Sequence, residues 1–254
     1  MHFDFLCQIN IIFMESDKAK SLNIFQSSFL AKLILVFTFF LLFLTSLFLL
    51  SAWHHEEEIS FLDSSHGSAF LIKNKEGKNI LFGAGKDSRI NEFLSSNISF
   101  FDKKIDALFL ISAKKNALGG FKDLAERFTV EKIINFSRSY PSSIFRNTWE
   151  KAQEKGVSVK LAREGEKFRF GDLSVEVLYS RQENEEKEAE IILRIESNEE
   201  ILFVNLLAKS QREIIRTDLD IGAEKIIFLG SLDEDFFRAS GAGEKIEITA
   251  SRNF

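Results

Sequence analysis

The stretch that decides the fold is IDALFLISAKKNALGG, which runs from residue 105 to residue 120. Its first half, residues 105–112, is apolar apart from Asp106 and the final serine, and such a run predicts a β-strand that is covered on both faces. The glycine turn at its end leads into a helical pattern over residues 121–128, and a short strand is predicted at residues 132–134. A strand, a helix and a second strand in this order predict a βαβ unit.

Further elements are predicted on both sides of this unit. The preceding segment alternates strand signals with turn residues and predicts a β-meander at residues 59–62, 69–73 and 79–82, followed by a helix at 87–94. The following segment predicts helices at 143–154 and 210–217 and strands at 157–161, 173–179, 190–195, 201–204, 225–229 and 246–250. Two β-rich halves with helices packed outside predict an α/β fold, either a four-layered αββα sandwich or a mixed α/β sheet.

Composition limits the class of protein. The 254 residues are 45% hydrophobic and 28% charged, which excludes a disordered chain. The single cysteine, Cys7, cannot form an internal disulfide, and no Cys/His cluster has the spacing of a structural zinc site. The net charge of −5 gives no general attraction to nucleic acid, so nucleic-acid binding would need a local basic patch. Phenylalanine is abundant, at 28 residues, which we interpret as codon bias, with a functional phenylalanine surface as the alternative.

Residues 33–53, LILVFTFFLLFLTSLFLLSAW, contain no charged side chain. At about 1.5 Å per helical residue this run is long enough to cross a hydrocarbon core of about 30 Å. Lysines precede the run and Glu56, Glu57 and Glu58 follow it, so the positive-inside rule places the N-terminus in the cytoplasm. The sequence therefore predicts a single-pass protein of the cytoplasmic membrane, with a cytoplasmic tail at 1–32, an anchor at 33–53 and an extracytoplasmic domain at 58–254.

Three alternatives concern the N-terminal region. A cleaved signal peptide is disfavoured because the apolar run exceeds the usual core of roughly 7–15 residues and no clear Ala-x-Ala site follows it. A buried core helix is disfavoured because no polar stripe interrupts the run at helical spacing. Met14 begins the polar segment MESDKAK and is a second candidate start, from which translation would omit residues 1–13 and Cys7.

Three blocks of the domain resemble the extracytoplasmic metallo-β-lactamase-like domain of the competence protein ComEC. That family opens with Leu-Asp-Val-Gly-Gln-Gly-Asp-Ala, where residues 62–69 here read LDSSHGSA. Its next block, Gly-Lys-Asn-Ile-Leu-Ile-Asp-Gly-Gly, corresponds to GKNILFGAG at residues 77–85, and its Ile-Asp-Ala-Leu block with a metal motif and Gly-Gly corresponds to residues 105–120. The resemblance covers residues 58–235 and implies a metallo-β-lactamase-like αββα sandwich with a role in DNA uptake.

The metal ligands of that family are missing from this chain. Members hold zinc or manganese chiefly through His-x-His-x-Asp-His before the Gly-Gly, so that a bound water becomes a nucleophile near neutral pH. The corresponding positions here are Ser112, Lys114, Asn116 and Ala117, and a later bridging aspartate falls near Asn205-Leu206, with Leu206 as the lost-ligand position. The domain contains one histidine, His66. The resemblance with these losses implies a degenerate, non-catalytic relative for which no cofactor is expected.

Two functions from different classes remain. The first is a binding or scaffolding module, and the resemblance implies a DNA-translocation channel or single-stranded DNA as its partner. Lys114 and Lys115, together with His66, would form an anion-binding site where the metal once lay, and Lys103 and Lys104 would extend it into a basic patch. The second is a weak metal-dependent hydrolase of the nuclease or phosphodiesterase type, with one metal in a site rebuilt from Asp63, His66 and Asn116. A domain drifting toward loss of function is a further alternative.

Other conspicuous residues receive structural interpretations. Asp63 is expected to accept hydrogen bonds from turn amides. Gly67, Gly119 and Gly120 are expected to be turn glycines that accept positive φ or allow close packing. The most charged stretch, RQENEEKEAE at residues 181–190, is expected to be a solvated loop without a function.

We predict that the full chain remains in the membrane fraction after alkaline carbonate extraction, because residues 33–53 span the bilayer. Protease added outside spheroplasts should digest the domain. Replacing Phe40 and Leu44 by lysine should release the chain, because each charge at a helix centre costs about 2.5–3.5 kcal/mol of insertion free energy. Recovery of the unaltered chain in the soluble fraction, or of a chain shortened to the domain, would contradict an uncleaved anchor.

Overall fold

A computed structural model describes residues 32–47, 57–100, 102–184, 187–217 and 219–248. The chain divides into two units, Met1–His54 and His55–Phe254. In the first unit, residues 32–47 form helix α1, whose large apolar side chains, such as Phe39 and Leu42, are exposed. No helix in the described ranges is both long enough and apolar enough to cross a membrane. Residues 48–53 of the predicted anchor lie outside those ranges, so the anchor stays a prediction.

The second unit combines two large sheets with helices. Its strands are β1 (Glu58–Phe61), β2 (Phe70–Lys73), β3 (Asn79–Phe82), β4 (Lys104–Ile105), β5 (Ala107–Leu110), β6 (Thr129–Val130), β7 (Lys132–Asn135), β8 (Ser158–Leu161), β9 (Lys167–Phe170), β10 (Leu173–Arg181), β11 (Glu190–Glu196), β12 (Glu200–Asn205), β13 (Lys225–Phe228) and β14 (Glu244–Glu247). Its helices are α2 (Arg89–Asn97), α3 (Lys115–Leu118), α4 (Phe121–Arg127), α5 (Ser143–Glu154), α6 (Ala208–Ile214) and α7 (Glu234–Ser240), with a 3₁₀ turn at Ser64–His66.

Each large sheet joins an antiparallel meander to parallel strands. Sheet 1 has the order β1-β2-β3-β5-β7-β8, antiparallel from β1 to β3 and parallel from β3 to β8. Sheet 2 has the order β14-β13-β12-β11-β10-β9, antiparallel from β9 to β12 and parallel from β12 to β14. The carboxyl ends of β3, β5 and β7 therefore meet at one edge of sheet 1, which we call the C-terminal edge.

Three apolar cores separate four layers. The first core lies between the sheets and takes side chains from both, such as Ile80 of β3 and Val175 of β10. The second lies between the outer face of sheet 1 and helices α2 to α5. The third lies between sheet 2 and helices α6 and α7. This arrangement confirms the predicted αββα sandwich and excludes the alternative of one mixed sheet.

A ladder of phenylalanine rings forms the centre of the inter-sheet core. Phe70 lies opposite Phe82 in the β2–β3 register, and Phe82 lies opposite Phe109 in the β3–β5 register. The ring centroids are 4.4 Å and 4.8 Å apart, and all three rings are fully buried. From sheet 2, Phe168 meets Phe109 edge-on at 5.7 Å and Phe203 lies 5.9 Å from Phe70. These phenylalanines pack the core and do not form an exposed binding surface.

Most predicted elements coincide with observed ones, but several differ. Strand β9 and helix α7 were not predicted from the sequence. Helix α6 begins at Ala208, two residues before its predicted start, and β14 lies at Glu244–Glu247, slightly before the strand predicted at 246–250. The helix boundaries shift because the carboxylate of Glu190 accepts the backbone N–H of Leu207 and fixes the start of α6 from a neighbouring strand.

We predict that Phe82→Ala destabilises the domain by about 3–5 kcal/mol, because it removes the middle ring of a fully packed ladder. Urea unfolding of the detergent-solubilised chain, followed by tryptophan fluorescence, measures this loss. Phe100→Ala is the matched control, since that ring is 79% exposed, and it should change stability by less than about 0.5 kcal/mol. Equal losses of unfolding free energy in both variants would contradict a stabilising role of the phenylalanine ladder.

Candidate functional site

The candidate site lies at the C-terminal edge, where the three blocks of sequence resemblance meet. The turn before β2, the loop after β3 and the loop after β5 are joined there by backbone hydrogen bonds. Ser68 N donates to Asn116 O at 2.8 Å, Lys86 N donates to His66 O at 2.9 Å, and Ala84 N donates to the carbonyl of residue 117 at 2.7 Å. The fold therefore assembles segments that are up to about 50 residues apart in the chain.

Glycines make this close assembly possible. A Cβ atom at Gly67, whose φ is +103°, would lie 2.3 Å from Asn116 O. A Cβ at Gly119 would lie 2.2 Å from Lys86 O, and one at Gly120 would lie 2.4 Å from Ala84 O. Contacts this short exclude any side chain. The structural interpretation of the three glycines is confirmed: Gly67 needs positive φ and close approach, and the other two need close approach alone.

The four residues that the resemblance aligns with metal ligands, and Leu206, point in different directions. Ser112 is buried, and its hydroxyl accepts the Lys114 N–H at 3.2 Å. Asn116 has an exposed side chain. Ala117 is buried in the inter-sheet core, and Leu206 is buried in the core beneath α6 and α7. These side chains supply no convergent set of metal donors.

Asn205 faces the gap between the sheets at this edge. It ends β12 in sheet 2, and its Nδ2 donates to the carbonyl oxygen of Ile111 in sheet 1 at 2.9 Å. Strand alternation places the next residue, Leu206, on the opposite face of sheet 2. Position 205, and not 206, is therefore the one that faces sheet 1 at this edge.

The charged connection between β10 and β11 contacts the same edge. Glu188 accepts the Ala113 N–H through Oε1 at 2.9 Å, and its Oε2 lies 2.9 Å from Lys114 Nζ. Gln182 accepts the Arg138 N–H at 2.9 Å and donates to the carbonyl of residue 139 at 2.7 Å. The prediction that residues 181–190 form only a solvated loop was wrong for these two side chains. Charge density marks the segment as polar, and only the tertiary structure shows which carboxylate turns inward.

Lys114 is held in its charged form. Burial by itself lowers the pKa of the Lys114 ammonium, but the charge of Glu188 and its hydrogen bond raise that pKa by more, so the net pKa lies above its ordinary value. The same carboxylate neutralises the charge that an anion would meet. Lys114 is therefore a weaker anion-binding group than its sequence position implies.

The residues at this edge do not fit a divalent metal. In the described ranges, no group of three or more His, Cys, Asp or Glu side chains is placed to hold one. The Lys114 ammonium, at the position that the resemblance aligns with an imidazole ligand, repels cations. The oxygens of Glu188, the nearest carboxylate to it, are both engaged by protein groups.

The residues of the alternative rebuilt site have separate interactions. Asp63 accepts the Ser65 N–H at 2.8 Å, which confirms its predicted turn role. The hydrogen bond from the Ser65 side chain, and after it the one from the Ser65 N–H, lower the pKa of the Asp63 carboxyl. His66 Nδ1 lies 3.6 Å from Asp87 Oδ2. Asn116 is engaged through its backbone carbonyl. At 3.6 Å the His66–Asp87 contact is longer than a hydrogen bond, and His66 Nδ1 is buried without a hydrogen-bond partner in the described residues.

The basic residues predicted to form one patch lie at two ends of β5. Lys114 and Lys115 follow the strand, whereas Lys103 and Lys104 precede it. Lys104 Nζ lies 3.1 Å from the carboxylate of Asp106, which compensates its charge. A strand rises about 3.3 Å per residue, so the two pairs cannot contact one ligand phosphate together. The structure therefore places the two predicted parts of the patch at opposite ends of β5, and the patch itself stays a prediction.

No model of a known protein family matches this chain, and no curated protein matches it. Solved structures similar to it include the metallo-β-lactamase fold protein YhfI from Bacillus subtilis, with 13% identity and a TM-score of 0.49 over 74% of this chain and 80% of that one. A HARLDQ-motif metallo-β-lactamase from Cronobacter sakazakii is 15% identical, with a TM-score of 0.42 over 63% and 66%. A diphosphatase of the PhnP family is 12% identical, with a TM-score of 0.45 over 73% and 77%. At these identities the likeness concerns the fold alone.

Asp106, at the opposite end of β5, makes the stability of the domain depend on pH. Its carboxylate accepts the Asn79 N–H at 2.9 Å and lies 3.3 Å and 3.1 Å from the ammonium groups of Lys78 and Lys104. Burial alone raises the pKa of Asp106, but these partners outweigh burial and bring that pKa below its ordinary value of 3.8. Such a group stabilises the fold above its unfolded pKa, and the stabilisation is lost as pH falls through the folded pKa.

We predict that Asp106→Asn lowers the unfolding free energy by about 1.5–3 kcal/mol near pH 7, because a charge-assisted network is lost. The difference from the unaltered chain should shrink at an acidic pH below the folded pKa of Asp106, which itself lies below 3.8, because the carboxyl is then neutral like the amide. Urea unfolding at the two pH values measures it. Asp172→Asn, in the exposed turn between β9 and β10, should have little effect at either pH. A deficit that persists unchanged in acid would contradict the electrostatic explanation.

Proposed function

We propose that this chain is a non-catalytic member of the metallo-β-lactamase fold, related to the ComEC proteins of DNA uptake. It serves as a binding or scaffolding module outside the cytoplasmic membrane, where residues 33–53 anchor it. One observation carries the proposal. In place of a metal-ligating imidazole the chain has Lys114, and its ammonium lies 2.9 Å from Glu188.

The chemistry of hydrolysis needs groups that this edge lacks. A metal ion would lower the pKa of a bound water, and without one a general base must remove the proton from the attacking water. Glu188 is committed to Ala113 and Lys114, and Asp63 is committed to its own turn. His66 Nδ1 lies 3.6 Å from the carboxylate of Asp87. No remaining side chain of this cluster pairs with a nucleophile, which supports a module that binds and does not cut.

The partner we propose is a protein, the DNA-translocation channel, and the resemblance to ComEC is what suggests it. Single-stranded DNA is disfavoured because Glu188 neutralises Lys114 and the chain carries a net charge of −5. Lys115 is exposed at the edge, but one lysine supplies little phosphate affinity. Recognition of a protein surface needs no such patch.

We predict that the full chain, purified in detergent without chelator, carries fewer than about 0.1 zinc, manganese or iron ions per chain, because no donor set fits them. Mass spectrometry measures the metal content. Added zinc or manganese should not produce hydrolysis of single-stranded DNA or of a chromogenic phosphodiester.

Stoichiometric metal, with hydrolysis that disappears in His66→Ala, would contradict the proposal and establish the weak hydrolase instead. The same preparation distinguishes between the two candidate partners, a protein and single-stranded DNA. Anisotropy of labelled single-stranded DNA should be unaffected by the chain, and equally so after Lys114→Glu with Lys115→Glu. Salt-sensitive DNA binding that the double variant loses would replace the protein partner by DNA.

A further inference from the structure

Two backbone groups in the loop after β5 are satisfied from the opposite sheet. Ile111 and Ala113 are almost completely buried, at 1% and 3% exposure. The Ile111 carbonyl accepts from Asn205, and the Ala113 N–H donates to Glu188. Buried backbone groups without partners are costly, so this loop depends for its conformation on a side chain of β12 and one of the connection between β10 and β11.

Of these two partners, Glu188 has the higher cost of burial because it carries a charge. Its side chain is only 15% exposed, and a carboxylate removed from water needs both hydrogen bonds and an opposite charge. The carboxylate of Glu188 has both: Oε1 accepts a hydrogen bond from the Ala113 N–H, and Oε2 forms an ion pair with Lys114 Nζ. The Lys114 side chain is 64% exposed, so water solvates the ammonium in part.

We propose that Lys114 and Glu188 form an internal electrostatic clamp that joins the two sheets at the place where intact relatives would hold a metal ion. Ligands from both sheets would meet on such an ion, at positions 112–117 and near 205. In this chain the Lys114–Glu188 clamp and the Asn205 hydrogen bond connect the same two segments with protein atoms alone. The clamp goes beyond the proposed function, since it operates whether or not a partner binds.

The different burial of the two side chains predicts an asymmetric response to substitution. Lys114→Met leaves a largely buried carboxylate without its counter-charge, and it should raise the unfolding equilibrium constant about tenfold to a hundredfold. Glu188→Gln keeps an acceptor for the Ala113 N–H and leaves a lysine that water can solvate, so it should raise that constant less than tenfold. The variant with both substitutions has no unpaired charge and should be more stable than the two single effects predict.

The test is a double-mutant cycle on the full chain in detergent, with urea unfolding as the readout at low and high sodium chloride. We expect a coupling of about fivefold or more between positions 114 and 188, and a smaller coupling at high salt. Lys115→Met supplies the matched control. This neighbour is exposed and, within the described ranges, has no ion pair, so its cycle with Glu188→Gln should give no coupling.

A second measurement remains informative if one variant folds poorly. Hydrogen exchange of the folded chain should show the Ala113 amide protected, and less protected in Glu188→Ala, which has no acceptor. The charge-exchanged variant, Lys114→Glu with Glu188→Lys, should regain part of the stability lost by Lys114→Glu alone.

Coupling equal to that of the Lys115 control, together with unchanged exchange at Ala113, would overturn the clamp. This outcome is separate from failure of the proposed function. Metal and hydrolysis in the purified chain would refute the non-catalytic module even if the coupling were present. A metal-free, inactive chain without coupling would refute the clamp alone.

Discussion

Stacking of Phe70, Phe82 and Phe109 across three adjacent strands is the interaction on which the rest of the domain depends. The three rings lie at paired register positions, so a slip of one residue in any strand would turn a ring to the outer face. The ladder thus fixes the relative heights of β2, β3 and β5. Because the strands end together, the three loops that follow or precede them meet at one edge.

The meeting of these loops explains the glycines and the polar contacts at the edge. A Cβ atom added at Gly67 or Gly119 would lie 2.3 Å or 2.2 Å from a backbone oxygen, which leaves no space for a side chain at either position. The loop after β5 is consequently held by main-chain bonds on one side. On its other side the side chains of Asn205 and Glu188 reach it from sheet 2. The contacts at the C-terminal edge therefore join the two sheets, whether or not a ligand binds there.

The chemistry of this junction differs from that of a metal centre in the sign of its central charge. A divalent cation gathers several anionic or neutral donors around one point, whereas Lys114 satisfies one carboxylate and repels any further cation. A lysine can therefore help to hold two sheets together without activating water. This difference connects the lysine at position 114 both with the proposed non-catalytic role and with the proposed clamp.

Elements with strong local signals were predictable from the sequence. The apolar run before Ser112 became the central strand β5, and the turn residues around Gly67 lie where the local pattern placed them. Strand β9 and helix α7 were missed although local signals exist. Phe168 and Phe170 alternate with charged residues, and Asp233 and Gly241 cap the two ends of α7.

The candidate site could be predicted only in part, because local patterns record which residues follow one another and not which loops meet. The absence of imidazoles from the domain, apart from His66, was readable directly. The inward orientation of Glu188 could not be predicted. A run rich in glutamate predicts a solvated loop, and only the folded structure shows which glutamate meets a buried N–H and an ammonium. Composition and periodicity thus determined two β-rich halves with helices outside them and a domain with one histidine, whereas long-range packing alone decided how the sheets stack and which charges meet at the edge.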